Sequence, residues 1–144
     1  MWSPDGSRIA FSTLDASGRW SIYLASADGS RPTGLTAPED SPGGPANDFG
    51  PAWSSDGGRI AFTRSWTYAD GHGGCQIFAM NADGSNARQL TQDSFCATSP
   101  AWSPDGASIA FNGQIPEARS ALDRALSLDP RRESARRLLE ELRR

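Results

Sequence analysis

Few residues of this 144-residue chain have the types and spacing that catalysis requires. His72 is its single histidine, so a His-based metal site would lack a second imidazole, and no nucleophile stands out as its partner. The Gly-x-Ser-x-Gly elbow of serine hydrolases is absent. The sequence therefore predicts no catalytic residue, no metal ligand and no cofactor, and we expect a protein that is not an enzyme.

The chain has two cysteines, Cys75 and Cys96, and a separation of 21 positions excludes a Cys-x-x-Cys redox or zinc motif. Each follows or precedes a strand predicted below, and both then lie at the same end of neighbouring antiparallel strands. A disulfide between them is predicted, with two free thiols as the alternative. Such a bond would favour an oxidising compartment.

Asp-Gly pairs recur along the chain, and acidic residues at such density could suggest calcium. The ligand spacing of a calcium-binding loop is absent, however. Asp can hydrogen-bond the backbone two residues on, and Gly adopts positive φ without steric cost. We therefore interpret the Asp-Gly pairs as turns.

One ten-residue unit containing such a turn occurs three times, at Trp2–Phe11, Trp53–Phe62 and Trp102–Phe111. Each copy places a Trp before the turn and Ile-Ala-Phe after it, so Ile and Phe share one face of a strand. The unit predicts a β-hairpin. We expect Trp2, Trp53 and Trp102 to be buried between neighbouring repeats.

A second unit follows twice, at Ile22–Thr36 and Ile77–Thr91. It again joins an apolar strand to a return strand through Asp-Gly. Two hairpins in series predict a four-stranded antiparallel meander, and a repeat of about 50 residues indicates a repeat architecture.

Together these motifs resemble the blades of TolB-like, WD-repeat-like β-propellers over residues 1–112. The resemblance implies a mainly β fold, an incomplete β-propeller of about two and a half four-stranded blades. The predicted blades span about 1–36, 51–91 and 100–112, with a shortened first strand in the first and only two strands in the third. Residues 37–50 have the composition of a loop.

The hydrophobic period changes from 2 to 3.6 after residue 112, and apolar residues line one face of each of two helices. Gly113, Ala118, Leu122, Ala125 and Pro130 fall at the spacing of a tetratricopeptide repeat, which this tail resembles in part. We therefore expect a C-terminal α-helical hairpin over 113–144, packed on the open edge of the third blade.

The most notable predicted connection between strands, residues 63–76, contains Trp66, Tyr68, Asp70 and His72. In a meander, the tight turns share one end of the blade and the variable connections share the other, where binding function usually lies. These four residues are the candidate binding loop. The alternative is a loop that folds on itself, with Trp66 covering the blade edge.

Composition narrows the class of partner. The net charge of the chain is −3. Residues 113–144 contain eight Arg and six acidic residues, a net charge of +2, and this mixture favours a solvated helix face over nucleic-acid binding. No apolar run reaches membrane-spanning length and no signal peptide opens the chain. The family resemblance nevertheless favours a location outside the cytoplasm, periplasmic or secreted.

The leading hypothesis for function is a non-catalytic protein-interaction scaffold that binds a protein or peptide partner. Two and a half blades cannot close a ring, so the chain is expected to be a piece of a longer protein or a ring completed as a homo-oligomer. Two alternatives stay open: an accessory propeller piece of a prolyl-oligopeptidase-like hydrolase, inactive alone, and a recombined gene product without selected function.

Overall fold

The computed structural model describes residues 1–37, 46–67, 71–92 and 96–113. These segments contain antiparallel strands in three sheets, which we call blades 1, 2 and 3. Blade 1 comprises β1 (Arg8–Leu14), β2 (Trp20–Ser26) and β3 (Thr33–Gly34); blade 2 comprises β4 (Ala46–Trp53), β5 (Arg59–Thr67), β6 (Gly73–Asn81) and β7 (Arg88–Gln89); blade 3 comprises β8 (Thr98–Trp102) and β9 (Ile109–Asn112).

Neighbouring strands in each blade follow chain order, as the hairpin repeats predict. Blade 2 is complete, in the order β4-β5-β6-β7. Blade 1 keeps only a single bridge, Trp2 to Ile9, where blade 2 has its first strand. The mainly β fold with incomplete blades is therefore confirmed. The helical hairpin predicted for 113–144 lies outside the described residues, apart from Gly113.

The Asp-Gly turns form as their chemistry predicts. In the turn of the first repeat, Asp5 Oδ1 accepts from the backbone N–H of Ser7 at 3.0 Å, and Gly6 has φ +69°. The serine after each repeat Trp also stabilises the turn, which the sequence did not predict. Ser3 Oγ donates to Asp5 at 2.6 Å and accepts from the N–H of Arg8 at 2.9 Å. This pair of bonds closes the hairpin across its turn and recurs in the other two copies.

Blade 2 begins earlier than predicted, because residues 46–50 are strand and not loop. β4 pairs with β5 from Ala46 to Trp53, with a register shift between Phe49 and Ala52. Gly50, at φ +59°, and Pro51 lie in this β-bulge. A bulge is one of the few places where a sheet accepts proline, so a Gly- and Pro-rich composition was compatible with strand structure.

The connection after β5 is also shorter than predicted. β5 extends through Trp66 to Thr67 and pairs with β6 as far as the Thr67–Gly73 pair. Of the residues predicted as loop, those from Thr63 to Thr67 and from Gly73 to Gln76 are therefore strand. Their polar composition concealed a regular ladder, since a nine-residue strand needs only part of its length in the core.

The core lies between blades 1 and 2. Ala10 and Ile22 from blade 1 form one buried cluster with the blade 2 residues Trp53, Ile60, Phe62 and Met80. Burying such a side chain contributes roughly 1.5–3 kcal/mol. Because side chains alternate along a strand, Ile60 and Phe62 face blade 1 together, as the repeat predicts.

The predicted burial of the repeat tryptophans holds for one of the three. Trp53 is 7% exposed and Trp102 is half-buried, but Trp2 is 56% exposed, so its prediction as a core residue is wrong. The reason is the neighbour each meets. Trp53 packs on blade 1 and Trp102 on blade 2, whereas no blade among the described residues lies against Trp2.

Candidate interaction site

The variable connections of blade 2 lie at the end of the sheet opposite its Asp-Gly turns. β5 and β6, nine residues each, form the longest hairpin of the described structure and carry this end outward. His72 is exposed just before β6. Tyr68 and Asp70 lie outside the described residues, so the predicted four-residue set remains a prediction.

Trp66 is held against the strand opposite it. It pairs with Gly74 across the ladder, and the indole is half-buried. A Cβ added at Gly74 would lie 2.9 Å from Trp66 Cζ2, so the ring lies directly on the glycine. The indole Nε1 is buried and has no hydrogen-bond partner within the described part of the chain. The indole therefore covers its own hairpin.

A buried ion pair joins β5 of this hairpin to β4, and the sequence did not predict it. The guanidinium of Arg64 donates from Nε to Asp48 Oδ1 at 2.7 Å and from Nη2 to Oδ2 at 2.8 Å. Asp48 is fully buried, and the guanidinium lies 4.9 Å from the ring centroid of Phe78. A bidentate pair of this kind fixes the position of β4 against β5. Both residues lie in segments that the sequence predicts as loops, so the sequence carries no signal of this pairing.

Cys75 and Cys96 come together at the same end of blade 2, as their placement on neighbouring strands predicts. Their Cα atoms are 4.5 Å apart, within the range of protein disulfides. The backbone N–H of Ala97 also donates to the carbonyl of Cys75 at 2.9 Å. These contacts bind the segment before β8 to the start of β6.

The opposite end of the blades is acidic and ordered by hydroxyl groups. Hydrogen bonds from Ser3 and Ser7 lower the pKa of Asp5 from 3.8 to about 2. Asp15 lies at the variable end, in the connection between β1 and β2, where hydrogen bonds from Ser17 and the Arg19 backbone lower its pKa in the same way. Serine donors also lower the pKa values of Asp28, Asp56 and Asp83. These carboxylates are acceptors within their own turns, which leaves them poorly arranged to share a cation.

No cluster of three or more His, Cys, Asp or Glu side chains that could hold a metal ion occurs in the described segments. Across those same residues, no helix is long and apolar enough to cross a membrane.

The sheets are antiparallel meanders packed side by side, with successive connections at opposite ends of each sheet. This arrangement is that of a β-propeller protein. The family comparison makes this specific, because the model of the TolB beta propeller domain matches residues 1–120. The chain belongs to the TolB β-propeller family. The Tol-Pal system protein TolB of Anaeromyxobacter dehalogenans is 44% identical to it, over 69% of this chain and 20% of that protein.

Solved structures agree on the fold. A TolB protein from Agrobacterium tumefaciens is 30% identical, with a TM-score of 0.60 over 78% of this chain and 36% of that one. The isopeptidase AtxE2 has a TM-score of 0.53 over 87% of this chain and 22% of its own, at 17% identity. That identity shows the fold alone and does not support the hydrolase-accessory hypothesis. The chain spans about a fifth of its curated relative's length.

Proposed function

We propose that this chain is a non-catalytic protein-interaction module of the TolB type, which binds a protein or peptide partner through the variable end of blade 2. Membership of the TolB family carries the proposal, since the relative in Anaeromyxobacter dehalogenans is a protein of the Tol-Pal system. Propeller scaffolds place variable loops on fixed strands, which suits binding.

The geometry of blade 2 supports this end as the binding surface. The Arg64–Asp48 pair and the Trp66–Gly74 contact hold the described parts of β5 and β6 in place beside the proposed site. His72 is exposed at its tip, next to the region of Tyr68 and Asp70. In this arrangement Trp66 supports the hairpin, and residues 68–72 make the contact.

Site-specific photo-crosslinking tests the proposal. A photoreactive residue replaces His72 in the full chain, and a matched control replaces Ala87, an exposed residue at the opposite end of the same blade. After exposure to an envelope extract of the cells that encode the chain, we expect one crosslinked polypeptide from position 72. Excess unmodified chain should compete it away. Equal labelling from position 87, or no competed product, would count against the site.

We further propose that Cys75 and Cys96 form a disulfide and that the chain works outside the cytoplasm. Closing a loop of this length contributes about 3 kcal/mol in the chain-entropy model. Non-reducing mass spectrometry of the purified chain should give a mass two hydrogens below that of the dithiol. Reduction should lower the urea midpoint, while a Cys75→Ser/Cys96→Ser variant should show no response to reductant. Two free thiols in the purified chain would refute the bond.

A further inference from the structure

The two interfaces between blades use the same contacts, although they join different residues. Arg8 of blade 1 lies 4.9 Å from the ring centroid of Trp53 in blade 2, and Arg59 of blade 2 lies 4.6 Å from that of Trp102 in blade 3. A guanidinium over an indole face is attracted by the ring quadrupole. Each repeat arginine therefore covers the tryptophan of the following blade.

Two hydrogen bonds accompany each arginine. Trp53 Nε1 donates to the carbonyl of Met1 at 3.2 Å, and Trp102 Nε1 donates to that of Ala52 at 3.1 Å. Further along the strands, the N–H of the bulge residue donates to a hydroxyl of the preceding blade: Gly50 to Ser12 and Ser99 to Thr63, both at 3.2 Å. We call the face with the arginine, the carbonyl and the hydroxyl the donor side of a blade because it supplies the arginine, although its carbonyl and hydroxyl accept the hydrogen bonds. The face with the Trp and its apolar strand, which receives the arginine, is the acceptor side.

Blade 1 presents an acceptor side with nothing described against it. Since Ala10 faces blade 2, alternation places Ile9 and Phe11 on the other face. Trp2 bridges Ile9 and so shares that face, where it is 56% exposed. Tyr23, opposite Phe11 in the ladder, extends the apolar surface with ring centroids 6.1 Å apart.

Blade 3 presents a donor side that lacks two of the three contacts. Ser108 stands where blades 1 and 2 have arginine, and Asn112 stands where they have Ser12 and Thr63. The alanine of the Ile-Ala-Phe strand, which lies on the donor side, shows that this side of blade 3 is uncovered. Ala10 and Ala61 are fully buried in blades 1 and 2, whereas Ala110 of blade 3 is exposed. A second copy of this chain therefore lacks the groups that cover Trp53 and Trp102 internally.

We infer that the Trp2 face of blade 1 is a docking surface for a further TolB-type blade that supplies an arginine to the Trp2 indole. The partner is identified by its chemistry: a Trp-Ser-x-Asp-Gly-x-Arg hairpin with a hydroxyl four residues after the arginine. Continuity with the two internal interfaces carries this inference, because the same acceptor residues are covered there in the same way. It concerns the side of the blade and does not depend on the proposed binding end.

The test installs the missing donor groups on blade 3 of a second copy. The donor is the full chain with Ser108→Arg and Asn112→Thr, plus Trp2→Ala to prevent its self-association; the acceptor is the wild-type chain. Sedimentation velocity of an equimolar mixture should show a heterodimer. An acceptor with Trp2→Ala should bind at least about tenfold more weakly, as the loss of a desolvated cation–π contact requires.

A donor that carries Ser108→Gln in place of Ser108→Arg is the matched control, with similar length and no charge, and should also bind about tenfold more weakly. Circular dichroism establishes that each variant is folded. Absence of the heterodimer, or equal binding by the Trp2→Ala acceptor, would overturn the inference. Self-association of the wild-type chain that Trp2→Ala abolishes would overturn it too, because the occupant would then be a second copy without the arginine.

Discussion

At the scale of single residues, the Arg64–Asp48 pair of blade 2 is a buried ion pair, and neither charge can be removed alone without a large loss of stability. Removing one member of a buried, hydrogen-bonded pair leaves the other charge unpaired, which typically costs about 3–5 kcal/mol. We therefore expect Arg64→Met to lower the free energy of unfolding by about that amount, measured by urea denaturation. The double variant Arg64→Met/Asp48→Leu should recover most of the loss. A double variant as unstable as the single one would show that the pair has another role.

The turn aspartates give the chain a defined acid response. The folded pKa of Asp5 is about 2, below its ordinary value of 3.8, so the protonated turn is the less stable form. Its stabilisation is complete above pH 4 and is lost as pH falls through about 2. Ser3→Ala removes the largest cause and should raise the pKa of Asp5 towards 3.8 in a carboxyl-detected NMR titration.

Asp15 supplies the cross-control for that titration. Its carboxylate depends first on Ser17, so Ser17→Ala should raise the pKa of Asp15 and leave that of Asp5 unchanged. If either variant moved both carboxyl groups together, a general loosening of blade 1 would be the cause, not the local hydroxyl.

At the scale of elements, the sequence predicts hairpins well and their ends poorly. Gly6, Gly57 and Gly106 have positive φ in equivalent turns, so local chemistry is sufficient to place them. The sequence predicts a loop at residues 46–50, and this is wrong because their strand depends on a bulge and on side chains of β5. Trp66 was likewise assigned to a loop, since the contact that holds it is a glycine on the opposite strand.

Two glycines at equivalent turn positions distinguish the cost of backbone strain from the cost of crowding between blades. Gly29 and Gly84 occupy the same turn position at φ +81° and +87°. A Cβ at Gly29 would meet nothing within 4 Å, but one at Gly84 would lie 2.9 Å from the carbonyl oxygen of Leu35 in blade 1.

Gly29→Ala should therefore cost about 1 kcal/mol from backbone strain alone. Gly84→Ala should cost a further 1–3 kcal/mol or so, because crowded backbone must move. Chemical denaturation of both variants measures the difference. Equal losses would mean that the turn of blade 2 does not press on blade 1.

At the scale of the whole molecule, blade 1 packs against blade 2 and blade 2 packs against blade 3. The repeat period predicted this arrangement, but not which tryptophan is exposed, because exposure depends on the neighbour and not on the motif. Trp2 and Trp53 stand in nearly the same ten residues and differ in exposure by a factor of eight. Stability in such arrays is approximately a sum of unit and interface contributions.

The two arginines that join the blades should therefore act on different neighbours. Arg59→Ala removes the guanidinium from Trp102 and its 3.2 Å bond to the carbonyl of Gly106, so blade 3 should open more readily. Arg8→Ala should loosen blade 1 from blade 2 instead. Each loss should be about 1–2 kcal/mol, and hydrogen exchange locates it: faster exchange in β8 and β9 for the first variant, in β1 and β2 for the second. Arg88→Ala, at an exposed position of β7, should change neither region. If both arginine variants accelerated exchange uniformly across the three blades, the chain would unfold as one cooperative body, and the interfaces would not act as separate joints.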